Sequence, residues 1–121
     1  MTAENRLEAI TNDILTRLGV SETTRGGKLL RTAVFLAASE QRRCISISAL
    51  SETIAAPLGK KPQEIANSMR CAYEVAYKQT SFTALSALLQ SPEKKPKLSE
   101  FIAMTAEMSR FASEVEMTEQ S

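Results

Sequence analysis

Gln63, Glu64, Asn67 and Arg70 fall close together in the segment of residues 60 to 78, KKPQEIANSMRCAYEVAYK, which opens on two lysines. These residue types suit the reading of a nucleic-acid duplex. Glutamine and asparagine each make two hydrogen bonds to adenine, and lysines neutralise phosphates without regard to sequence. The residues form such a set only if one element presents them together. Ile65, Met69, Ala72, Tyr73 and Ala76 recur at three- and four-residue spacing, which predicts a helix with an apolar stripe turned to a core. At about 100° per residue, the opposite face carries Gln63, Asn67, Arg70, Cys71, Glu74 and Lys78. Pro62 suits the first helical position because its missing N–H would find no partner there, and Gln63 and Glu64 suit the positive end of the helix dipole. A solvated helix with no ligand shows the same polar outer face, so this pattern alone leaves both readings open.

The preceding stretch supplies a second element. ISALSETIAAPLG predicts a short helix over about 48 to 56, with Leu50, Ile54 and Ala55 inward and Pro57 and Gly59 as stop signals. A short helix, a tight glycine-containing turn and a longer helix make the helix-turn-helix outline, which also occurs in bundles that bind no nucleic acid. Elsewhere, Leu7, Ile10, Ile14, Leu15 and Leu18 predict a first helix over about 3 to 18, closed by Gly19. A second is expected from about Ser21 or Arg25 to Glu40, with Leu29, Leu30, Ala33, Val34 and Ala37 inward. A short helix is expected over 81 to 89, then a charged, proline-broken loop. SEFIAMTAEMSRFA reads as a last helix capped by Ser99, followed by a flexible acidic tail over 113 to 121.

Composition bounds the rest. With 121 residues, 43% of them hydrophobic and 5% aromatic, the chain can bury one helical core of Leu, Ile, Ala and Met, and we expect a single all-α domain over 1 to 112. No stretch is apolar enough to span a bilayer and MTAENRLEAI lacks the apolar block of a secretory signal, so a cytoplasmic protein is expected. There is no histidine, and Cys44 and Cys71 lie far apart, so the common zinc arrangements and a Ser-His-Asp triad are excluded and two free thiols are expected. Asp13 is the single aspartate, too few for a magnesium-holding phosphoacceptor cluster, and no phosphate-binding glycine loop is present. We therefore expect no enzyme, no metal and no cofactor.

Net charge is only +1. Between Ser21 and Thr80, however, the basic residues Arg25, Lys28, Arg31, Arg42, Arg43, Lys60, Lys61, Arg70 and Lys78 outnumber five glutamates by four, leaving the flanks at −3. Arg42, Arg43, Lys60, Lys61 and Lys78 are the candidate phosphate contacts, with Gln63, Glu64, Asn67 and Arg70 the candidate base contacts.

The run NSMRCAYEVAYKQT, with LGV at 18 to 20 and SEFIAM at 99 to 104, resembles the C-terminal effector domain family of stage zero sporulation protein A, over roughly residues 5 to 110. The resemblance implies a bundle of about six helices that uses a helix-turn-helix on tandem promoter sites as a dimer and touches RNA polymerase. In that family, arginine and glutamate side chains on the recognition helix meet the bases. The aligned positions here are Glu64, Ala66 and Asn67, and Arg70 alone keeps its family type. The expectation is a stand-alone transcriptional regulator with altered base readout, controlled by expression, partners or self-association rather than by a receiver. The alternative is an interaction module that binds a related regulator or polymerase without reading DNA. That alternative draws on Phe101, Ile102, Met104, Met108 and Phe111 in the last helix.

Overall fold

The computed structural model describes residues 3–40, 45–79 and 96–120, and among these described residues are five helices: α1 (Ala3–Arg17), α2 (Arg25–Ser39), α3 (Ile47–Leu58), α4 (Pro62–Gln79) and α5 (Leu98–Gln120). No strand occurs among the described residues, so the all-α expectation holds. The helix expected over 81 to 89, together with Arg42, Arg43 and Cys44, lies outside them.

Helix α2 is the hub, packing against α1, α3, α4 and α5. Its sequence explains this role: Leu29, Leu30, Ala33, Val34, Ala37 and Ala38 are all buried, and small residues on this stripe let neighbours approach. Thr24 caps it, its hydroxyl accepting from the Gly27 N–H at 3.1 Å. Leu15 and Leu18 of the first helix, Leu50 and Ile54 of the third, Ile65, Met69 and Tyr73 of the fourth and Phe101 and Ile102 of the last close the same core.

Helix α1 stops where Gly19 takes a left-handed conformation (φ 85°). The Val20 N–H then bonds back to Leu15 O at 3.0 Å and the Gly19 N–H to Thr16 O at 3.1 Å, while the buried Val20 and Leu15 side chains join the core.

Four boundaries differ from expectation. Helix α3 starts earlier, because Ser46 rather than a later serine accepts from the Ala49 N–H at 3.2 Å. Pro57 lies inside its last turn, and the stop comes from Gly59. Helix α5 begins at Leu98, so Ser99 is not its cap; the Glu100 carboxylate instead accepts from the Lys97 N–H at 3.2 Å, as an N3 acid does at a helix start. The same helix also runs on to Gln120, past the end near residue 112 that the sequence suggested.

Candidate nucleic-acid interface

The turn between α3 and α4 is three residues long. Gly59 is left-handed (φ 63°, ψ 30°), and the N–H groups of Lys60 and Gly59 return to Ala55 O at 3.2 Å and Ala56 O at 3.3 Å. That pairing satisfies the last carbonyls of α3 and reverses the chain sharply. Lys61 O then accepts from the Glu64 and Ile65 N–H groups, so α4 is already wound by Pro62. With α3 packed on α4, residues 47 to 79 form a helix-turn-helix.

The structure brings the expected base contacts together. Gln63, Glu64, Asn67 and Arg70 are all exposed on α4, with Cys71, Glu74 and Lys78 continuing the wet face, while Ile65, Met69, Tyr73 and Ala76 are buried. At about 1.5 Å per residue, Gln63 to Arg70 spans about 10 Å, the length of about three base-pair steps. Lys78 lies about 12 Å farther along, out of reach of the same bases. Lys60 and Lys61 stand exposed at the helix entrance.

Two members of the set are coupled. Gln63 Nε2 donates to Asn67 Oδ1 at 3.0 Å, one helical turn apart, so the two amides are held side by side. Gln63 keeps its carbonyl oxygen as an acceptor, and Asn67 keeps its amide nitrogen as a donor. Ala66, aligned with a base-reading position of the resembled family, is buried and presents nothing to a duplex.

One basic residue of the central stretch is not available to a duplex. Arg31, counted among the free basic residues, is only 8% exposed and its guanidinium is occupied inside the protein. It donates from Nη2 to Val20 O (2.6 Å) and Thr16 Oγ1 (2.9 Å), from Nη1 to Asn12 O (2.9 Å) and Asn12 Oδ1 (3.2 Å), and from Nε to Ser21 O (3.3 Å). Gly27, Arg31 and Val34, at i, i+4 and i+7, share a buried face. That spacing was the available signal for its burial. Among the described residues of this central stretch, six exposed basic side chains then stand against five exposed glutamates. Arg31 keeps its charge but has no free face to offer a phosphate, so placement of individual basic side chains matters more than their sum.

The sequence matches the family described as sporulation initiation factor Spo0A C terminal over residues 11–108, most of the chain. The chain belongs to this family. Spo0A C-terminal domains are DNA-binding effector domains of sporulation regulation, a regulatory and not a catalytic family. A search of curated proteins found no match. Among the described residues, no helix is long and apolar enough to cross a membrane.

Within this Spo0A-type domain, α4 has a second notable flank. A groove of about 370 Å³ separates it from the start of α2, lined among others by Ser21, Thr24 and Gly26 on one side and Asn67, Ser68 and Cys71 on the other. Its floor is a backbone contact: a Cβ on Gly26 would stand 2.5 Å from Ser68 O and 3.2 Å from Ala72 Cβ. Gly26→Ala should therefore destabilise the fold by about 1 to 3 kcal/mol in chemical denaturation, despite alanine's better helix propensity, because a backbone carbonyl cannot rotate away. A variant as stable as the parent would show that α2 and α4 separate at no cost.

Proposed function

We propose that this chain is a transcriptional regulator that reads double-stranded DNA through Gln63, Asn67 and Arg70 in place of the arginine and glutamate readers of its family. The observation that carries the reading is the Gln63–Asn67 amide pair, held at 3.0 Å on an exposed first turn and a half behind Lys60 and Lys61. Paired in this way, the two side chains offer one acceptor, Gln63 Oε1, and one donor, Asn67 Nδ2. That set complements the N6–H donor and N7 acceptor of adenine in the major groove. Arg70, two turns in, meets a neighbouring base, Glu64 borders the set, and Lys60 and Lys61 hold phosphates at the entrance. Arg42 and Arg43, and Lys78 farther along, extend the phosphate contacts. Two copies on tandem half-sites, and contact with RNA polymerase, accompany this reading as the family resemblance implies, as does a cytoplasmic location.

Selection from a random DNA pool at low salt tests it. One motif with a fixed adenine should be enriched. Asn67→Ala should relax that position at a cost of about 1 to 3 kcal/mol, and Gln63→Ala should relax the same position rather than a different one, since the two amides act as a unit. A pool that stays random overturns sequence-specific reading.

The interaction-module alternative keeps one observation in its favour. Phe101 and Ile102 are core and Met104 and Met108 are partly buried, but Phe111 is 68% exposed on α5. Phe101 and Ile102 belong to the core, which leaves Met104, Met108 and Phe111 of the residues that this alternative drew on.

A further inference from the structure

A helix seated in the major groove is flanked by two phosphate strands, because groove and helix are both about 12 Å across. Helix α4 is likewise flanked by protein on both sides: Gly26 of α2 lies against Ser68, and Ala66, about 160° round the helix, is buried on the other side. Whatever projects from the start of α2 thus stands beside the wet face of α4, at the rim of the groove that Asn67 and Cys71 line. Those projecting residues are Thr23, Thr24 and Arg25, all exposed.

We propose that this segment is a second phosphate-binding shoulder. In it Arg25, with the hydroxyls of Thr23 and Thr24, grips the DNA strand passing the Ser68 flank of α4, while Lys60 and Lys61 hold phosphate at the helix entrance. The proposal rests on the DNA-binding reading above. The loop is pre-shaped for the task, since Ser21 Oγ accepts from both the Thr23 N–H (3.1 Å) and the Thr24 N–H (3.2 Å). The one carboxylate in the loop is turned away: Glu22 Oε1 accepts from Thr16 Oγ1 at 2.8 Å and lies 3.9 Å from Arg31 Nη2. Arg25 therefore faces a strand with no adjacent anion held against it in that loop. Lys28 carries the same charge but is about 160° round α2 from Gly26, on the side away from α4.

The test is the salt dependence of binding to a fluorescent random-sequence duplex, measured by anisotropy over about 50 to 200 mM salt. Arg25→Ala should weaken binding about fivefold at the low end and lower the log–log slope by about 0.9, the loss of one phosphate contact, with Arg25→Lys restoring the slope. Lys60→Ala should show the same loss, and Lys28→Ala should not. A slope for Arg25→Ala equal to that of the parent, with Lys60→Ala reduced, overturns the shoulder and leaves the DNA-binding reading standing. A parent chain with no salt-dependent binding at all overturns the reading itself, and the shoulder with it.

Discussion

Arg31→Ala should lower the unfolding free energy by about 2 to 4 kcal/mol, because it takes the donor from several acceptors at once, with Val20 O buried and those of Asn12 and Ser21 part-buried. Val20 O and Ser21 O, at the join of α1 and α2, lose their donor, as does the Asn12 side chain. Thr16, whose hydroxyl donates to Glu22, loses the donor that it accepts from. Burial pushes the guanidinium below its ordinary pKa and the nearby Glu22 opposes that, yet an arginine stays charged at any physiological pH. Its stabilising bonds are therefore present throughout that range. Arg31→Lys should recover part of the loss, since an ammonium keeps the charge without the planar fork that reaches both ends of this loop. Urea denaturation at constant m reads the difference; a loss under about 1 kcal/mol would show that water replaces the guanidinium freely. For a domain whose total stability is about 5 to 15 kcal/mol, the expected loss is enough to disable DNA binding indirectly, so Arg31 variants should not be read as losing a phosphate contact.

Phe101→Ala should cost about 3 to 5 kcal/mol, the usual price of emptying an aromatic core site. Phe101 is 1% exposed, and its ring lies 4.8 Å from that of Tyr73 at 35°, a tilted stack that ties α5 to the inward side of α4. The Tyr73 hydroxyl donates to Pro96 O at 2.7 Å, fixing the approach to α5 from the same side chain. Burial, with Tyr77, Glu74 and Glu100 adding to it, raises the Tyr73 pKa, which keeps the phenol protonated and donating. Phe101→Leu should lose much less, since most of the volume is retained. Thermal melts of the two variants should separate clearly; equal melting temperatures would mean that the aromatic stack is not what holds α5 in place.

Much of the helical layout is visible in local patterns. The inward stripe of α2 and the glycine stop of α1 follow from residues within a few positions of each other. So does the start of α4 at Pro62, for a proline at that place needs no partner and two glycines with free left-handed φ end the preceding helices. The boundaries that differ are those where two signals compete. Ser46 and Ser48 both suit the start of α3, and the chain chose the one whose hydroxyl reaches an N–H three residues on. Pro57 suggested a stop, but a proline in the last turn leaves just one carbonyl short of a partner. At α5, Ser99 and Glu100 both suit a helix start, and the carboxylate reaching back took the role.

The candidate interface divides along the same line. Periodicity alone determined that Gln63, Asn67 and Arg70 share a wet face, because 3.6 residues per turn and one apolar stripe leave no other arrangement. Only the tertiary structure decided which charges are available to a duplex and what stands beside that face. The carbonyls that engage Arg31 come from 10 to 19 residues away in sequence, and the contact that sets Arg25 beside α4 joins Gly26 to Ser68. The spacing of Gly27, Arg31 and Val34 marks position 31 as inward, but it does not name the partners on either contact, since solvation of a guanidinium depends on which backbone the folded chain brings to it.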